Sequence, residues 1–213
     1  MSQYRFNPKY NWWKEDHSAN FLILSQALQG RKIEALEIGA FEGRSSVWIL
    51  DNVISKESSL TVIEPYPEPG DNKDIAAVKD NLQYNLSLAD PGQSRSRVIV
   101  GESKTILPRL LVEGRRFDLI YVDGDHNALG VLRDLIMAWD LLRVDGYMLM
   151  DDYEMETTDP WHFVSHKEFI EYPRIKFLHP KTAIDPFLVI YRGLYEKVID
   201  NYQVGIKKIH DLE

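Results

Sequence analysis

"ALEIGAFEGRSSVWIL", residues 35–50, holds the pattern from which the reading of the fold follows. An apolar run stops at Glu37-Ile38-Gly39, a second glycine follows at Gly43, and an amphipathic segment then begins near Arg44. This is the grammar of a strand, a tight turn and a helix. Glycines let the backbone bend sharply and approach a ligand, and the first turn of a helix directs N–H groups toward it. The spacing is G-x-x-x-G, with Phe41 where the dinucleotide fingerprint has its middle glycine. A pyrophosphate pressed against such a turn would meet a bulky ring. Taken alone, the stretch fits a plain strand-to-helix connection as well as a binding turn.

The same alternation continues along the chain. Strands are predicted at 32–38, 60–64, 97–100, 117–122 and 144–150. Helices are predicted between them at 44–53, 73–88, 104–112 and 127–142, with Pro108 bending or interrupting the third. "FDLIYV" (117–122) is almost wholly apolar, as expected of a strand covered on both faces. Five such alternations imply right-handed crossovers, hence an α/β protein: a Rossmann-like three-layer sandwich with a mostly parallel sheet. After Asp152 the rhythm changes. A helix is predicted at 161–172, then strands at 174–178 and 187–191 that would form an antiparallel hairpin at the C-terminal edge of the sheet. The expected organisation is one domain over 1–213: an N-terminal lid or helical segment (1–31), the core (32–192) and a tail (193–213). The tail is read as a helix available to a partner subunit in a homodimer.

Composition narrows the function classes. The 213 residues carry a net charge of −8 and no cysteine. An acidic chain lacks the basic face of a non-specific nucleic-acid binder, and disulfides and thiolate chemistry are excluded. No apolar run is long enough to span a bilayer and none reads as a signal core, so a cytoplasmic protein without membrane partners is expected.

Open parallel sheets bind ligands beyond the carboxyl ends of their strands. Polar residues stand at every such end: Glu37-Ile38-Gly39, Glu64, Gly101-Glu102-Ser103, Asp123-Gly124-Asp125-His126 and Asp151-Asp152. Glu64 is placed to hold both hydroxyls of a ribose, which with the glycine turn suggests an adenosine-type cofactor lacking a pyrophosphate. If the last two of these strands are neighbours, Asp123, Asp151 and Asp152 come within roughly 5 Å of one another. Like charges so close either raise a pKa or recruit a cation, and oxygen ligands suit Mg²⁺, Mn²⁺ or Ca²⁺. Capping of a helix or loop by a single aspartate is the competing explanation. His126 opens a predicted helix, where a neutral imidazole base is reasonable, and a surface histidine near a cap is the competing explanation.

These segments resemble the class I S-adenosylmethionine-dependent methyltransferases, and most of all the metal-dependent O-methyltransferases of the catechol, caffeoyl-CoA and macrolide-sugar types. The resemblance runs from about residue 33 to 153. It is carried by "LEIGAFEGRSS", "VIEP", "GESKTILPRL", "FDLIYVDGDHNA" and "VDGYMLMDDY", and returns weakly in "IDPFLVIYRG". It implies S-adenosyl-L-methionine as cofactor, with Glu37, Gly39 and Phe41 along its methionine end and Gly43 in the same turn. Ser45 would bond its carboxylate, Glu64 its ribose, and Ser103 and Lys104 would flank the adenine beside Asp123. Asp123, Asp151 and Asp152 would coordinate Mg²⁺. Asp152 stands where catechol-type enzymes often have asparagine, although an aspartate pair occurs in the sugar-modifying relatives. His126 falls where many relatives carry a lysine base; with Asp123 it is the expected catalytic pair. The implied reaction is O-methylation of a small-molecule hydroxyl: a vicinal diol, catechol or sugar. The alternatives are metal-independent N- or carboxyl-methylation and, disfavoured by the missing glycine, a nucleotide-dependent oxidoreductase. Trp12 or Trp13 is expected against the acceptor or packing the N-terminal segment down, and His162 and His166 on one polar helix face.

Overall fold

The computed structural model describes residues 3–66, 76–155 and 179–211. Its centre is a seven-stranded sheet. The strands are β1 (Glu34–Ile38), β2 (Ser59–Glu64), β3 (Ser96–Val100), β4 (Phe117–Val122), β5 (Leu142–Met150), β6 (Tyr195–Asp200) and β7 (Val204–Lys208). Their order across the sheet is β3-β2-β1-β4-β5-β7-β6. The first five run parallel, and β7 pairs antiparallel with both β5 and β6. Strand order reverses between β1 and β4, so the sheet's switch point lies above the glycine turn.

Alternation along each strand sorts side chains into two layers. On β1, Leu36 and Ile38 face one core; on β4, Phe117, Ile120 and Val122 join them. That core is closed by the helices α4 (Ser103–Val112), α5 (Ala128–Leu141) and α6 (Pro180–Ile190). Ala35, Leu119 and Tyr121 point to the opposite face. There α1 (Glu15–Leu28), α2 (Arg44–Trp48) with its π-helical continuation Ile49–Val53, and α3 (Val78–Ala89) cover them. Pro108 sits inside α4 without ending it. No helix among the described residues is long and apolar enough to cross a membrane.

Two readings of the C-terminal region are corrected. Residues 187–190, expected with Tyr191 as a strand, belong to α6, and Tyr191 is its C-cap. The deciding spacing is Ala183, Ile184, Phe187 and Leu188, all buried on one helical face, with Pro180 at the first turn where its missing N–H costs nothing. The antiparallel hairpin exists, but it is β6–β7, so 195–208 form strands of the sheet in place of the expected helical tail. The strand expected at 174–178, the helix at 161–172, and His162 and His166 lie outside the described residues.

Lys208 ends β7 with a buried ammonium that donates to the carbonyls of Trp139 (3.1 Å) and Leu142 (2.9 Å), at the end of α5, and pairs with Asp211. It is a cation on the negative end of a helix dipole. Lys208→Met removes these bonds without emptying the space. It should lower the unfolding free energy by about 1–3 kcal/mol, read by urea denaturation; an unchanged midpoint would show that the carbonyls find other partners.

Candidate active site

The glycine turn is held from below and from the side. Glu37 is wholly buried, and both its carboxylate oxygens accept hydroxyl hydrogen bonds, one from Ser45 and one from Ser46. Ser45, expected to reach the cofactor's carboxylate, thus bonds within the protein. Burial pushes Glu37 up to about 7 against the opposing pull of the two serines. Gly39 has φ +84, and a side chain there would meet the Asp123 carbonyl oxygen at 2.1 Å, so only glycine lets β1 and β4 end so close together. Gly43, at φ +80, precedes α2.

Glu64 closes the turn. One carboxylate oxygen accepts the amides of Ala40 (2.9 Å) and Phe41 (2.8 Å), and the other accepts that of Tyr66 (2.9 Å). A carboxylate has about four lone-pair sites, so most of its capacity holds the backbone. Phe41 adopts a left-handed backbone (φ +50) that turns its ring toward the N-terminal segment. Tyr10 meets that ring edge-on at 5.3 Å and Trp12 lies at 5.2 Å. Trp12 is half exposed over the turn, whereas Trp13 stacks on Phe21 and donates its indole N–H to Ser18. Ser103 begins α4 and bonds the buried Asp134 of α5, while Lys104 pairs with Glu102 at 2.8 Å.

The aspartates come together as the strand order requires. Val122 pairs with Met150, which sets Asp123 beside Asp151. The Asp123 amide continues the ladder to Ile38, and the Asp151 amide to Val122. Asp151 accepts the Tyr121 hydroxyl and faces His17 Nε2 at 3.5 Å. The Lys14 amide donates to His17 Nδ1 at 3.2 Å, so the proton of a neutral ring sits on Nε2, toward the aspartate. Burial pushes Asp151 up, but His17 and Tyr121 outweigh it and hold the carboxyl below its usual range. Asp123 moves the other way: burial and the charges of Asp151, Asp152 and Glu37 raise it well above the carboxylate range. Crowded acids cannot all ionise freely together, and the crowding disfavours the charged form of Asp123.

Asp152 has a left-handed backbone (φ +59) and two side-chain partners: the Tyr202 hydroxyl at 2.8 Å and His126 Nδ1 at 2.7 Å. Burial alone would lower the His126 pKa, but the Asp152 carboxylate raises it above the ordinary histidine value. One ligand atom from each of Asp123, His126 and Asp152 lies within 4.8 Å of the others. Asp151, expected in that set, is turned to Tyr121 and His17, and His126 stands in its place. His17, Tyr121 and Tyr202 were not singled out in the sequence. Tyr121 sits in a strand that reads as apolar, and the other two are over a hundred and about fifty positions from the acids they serve.

A parallel α/β sheet with a glycine turn at its switch point, an acid at the end of the second strand and an acidic group at the fourth and fifth defines a methyltransferase-type fold. Residues 36–153, just over half of the chain, match the family model described as "Methyltransferase domain", and the chain belongs to that family. A protein of Acanthamoeba polyphaga mimivirus is 26% identical over 131 residues, an alignment covering 62% of this chain and 56% of that protein. The chain thus spans just over half the length of that relative. The O-methyltransferase TomG from Streptomyces achromogenes, solved with S-adenosylmethionine, superposes with a TM-score of 0.57 at 17% identity, over 90% of this chain and 80% of TomG. An O-methyltransferase from Bacillus cereus, solved with S-adenosylhomocysteine, gives 0.59 at 19% identity, over 97% and 84%.

Glu37 makes a pH signature. Its folded value of about 7 lies above the ordinary carboxyl value of 4.5. Between those two values the native state keeps a proton that the unfolded chain has lost, so stability falls as pH rises through this window. The fall attributable to Glu37 is roughly 3 kcal/mol. Glu37→Gln should flatten the pH dependence of unfolding free energy between pH 4.5 and 7; a variant with the wild-type slope would place the carboxylate's proton elsewhere.

Proposed function

We propose that the chain transfers the methyl group of S-adenosylmethionine to a hydroxyl oxygen of a small molecule, with a divalent cation held by Asp123, His126 and Asp152. The observation that carries this reading is the convergence of those three ligand atoms within 4.8 Å at the carboxyl edge of a methyltransferase-family sheet. Two carboxylates and one imidazole are an acceptable donor set for Mg²⁺ or, with nitrogen present, Mn²⁺. The cofactors bound to TomG and to the Bacillus cereus enzyme support the choice of S-adenosylmethionine.

The cation would lower the pKa of the acceptor hydroxyl, and the sulfonium cofactor supplies the methyl group. The protein's own part is placement. The turn at Gly39–Gly43, braced by Glu37 and Glu64, forms one wall of the cleft. Tyr10, Phe41 and Trp12 form an aromatic rim suited to a flat or ring-shaped acceptor, in keeping with a catechol, a vicinal diol or a sugar. Asp123 and Asp152 orient the acceptor oxygens toward the methyl group.

One observation favours a second reading of the same transfer. His126 Nδ1 against Asp152 at 2.7 Å is a base held by an orienting carboxylate. In a metal-free reaction that pair would take the hydroxyl proton itself, Asp152 stabilising the imidazolium that forms.

Turnover on a panel of catechols, vicinal diols and sugars, with and without EDTA, separates the two. Under the metal reading EDTA abolishes methylation and Mn²⁺ or Mg²⁺ restores it. Asp123→Ala then lowers the rate by more than about 100-fold while S-adenosylhomocysteine still binds in calorimetry. Activity that survives EDTA but is lost in His126→Ala selects the His126–Asp152 pair instead. Absence of S-adenosylhomocysteine binding would overturn both.

A further inference from the structure

The hairpin that ends the sheet reaches into the acidic group. Because β7 runs antiparallel to β5, with Val204 opposite Met150, the turn joining β6 to β7 lies at the carboxyl ends of the parallel strands. Residues 201–203 therefore stand beside 151–153, and the Tyr153 amide donates to the Tyr202 carbonyl at 2.9 Å. We infer that Tyr202 is the positioning residue of the site, its hydroxyl fixing the Asp152 carboxylate so that the other oxygen faces Asp123 and His126. This inference rests on the metal-assisted reading above.

Two observations at Asp152 carry it. The Tyr202 hydroxyl takes one oxygen of Asp152 at 2.8 Å, and His126 the other at 2.7 Å, so the plane of the carboxylate is defined from both sides. Asp152 also has an uncommon left-handed backbone, a conformation that persists when its surroundings over-determine it.

The turn carrying Tyr202 is itself immobilised. Asn20 of α1 and Asn201 exchange side-chain hydrogen bonds of 2.9 and 3.0 Å, and Asn20 also donates to Gln203 at 2.8 Å. The ammonium of Lys14, the N-cap of α1, lies 3.7 Å from the centre of the Tyr202 ring, and the ring of His17 in α1 is 5.7 Å away. Through Tyr202 the turn and α1 act on a group that lies within residues 36–153, although both stand outside that span. Groups that orient a metal ligand without touching the metal commonly change affinity 10–100-fold when removed.

The test is Tyr202→Phe, which deletes one oxygen and keeps the ring. Mn²⁺ binding is measured by electron paramagnetic resonance, S-adenosylhomocysteine binding by calorimetry, and Tm by scanning calorimetry. The expected result is Mn²⁺ affinity weakened about 10–100-fold, with cofactor affinity and Tm unchanged. Tyr4→Phe, which removes a hydroxyl bonded to Asp51 away from the site, should leave Mn²⁺ affinity at the wild-type value. Equal Mn²⁺ affinity in wild type and Tyr202→Phe overturns this inference and leaves the metal reading intact. If Tyr202→Phe loses cofactor affinity and Tm together with Mn²⁺, the residue is structural and the inference also fails. A wild type that binds no Mn²⁺ overturns both.

Discussion

The register of β4 on β5 brings Asp123, Asp151 and Asp152 to one place, and the surrounding structure is arranged around that accumulation of negative charge. Three carboxylates at neighbouring strand ends repel one another in a site only partly open to water. Each is answered differently. Asp151 receives a phenol from within the sheet and an imidazole from α1, and stays ionised. Asp152 receives a phenol from the hairpin turn and a second imidazole. Among the described residues Asp123 accepts only a long bond from Tyr121, at 3.2 Å, and its charged form is disfavoured. Asp151 is thus tied into the scaffold, while Asp123 has the least support of the three.

The core was legible in the sequence because its signals are local. Period-two alternation, helical spacing and glycine positions each decide within a window of about ten residues. The parallel strands and the helices α2, α4 and α5 fall within two or three residues of expectation, whereas α3 begins at Val78 against an expected 73, and the order of acids at the strand ends follows from topology alone. The C-terminal region failed for the same reason. "FLVIY" is rich in residues that favour strands, yet its buried positions lie at helical spacing in the core shared with α5. The strand Tyr195–Asp200 lies at the edge of the sheet and buries little, so it shows no clean alternation. Contacts between distant segments leave no trace of this kind. Nothing in "DHSAN" announces that His17 meets Asp151, or that Asn20 meets Asn201.

The glycine turn was read correctly as a turn, but its polar residues do more inward work than the resemblance implied. Ser45 and Ser46 together solvate a buried glutamate, a task usually left to water. Glu64 links the first two strand ends by gathering the amides of Ala40, Phe41 and Tyr66. A left-handed phenylalanine is an unusual choice at such a position, and here its ring completes a cluster with Tyr10 and Trp12. The sequence suggested that Phe41 keeps a pyrophosphate away; its packing shows that it also ties the N-terminal segment to the turn.

The placement of β7 between β5 and β6 has a consequence for biosynthesis. Chains emerge from the ribosome N-terminus first, and the family core through Tyr153 can begin to fold as soon as it appears. Tyr202 follows Asp152 by 50 residues, and the strand that fills the slot beside β5 follows Tyr202. Until that stretch has been made, the edge of β5 has no antiparallel neighbour and Asp152 lacks the hydroxyl that orients it. The nascent core therefore passes through a stage with its sheet incomplete and its acidic group unset, and the last strands to be inserted finish both at once.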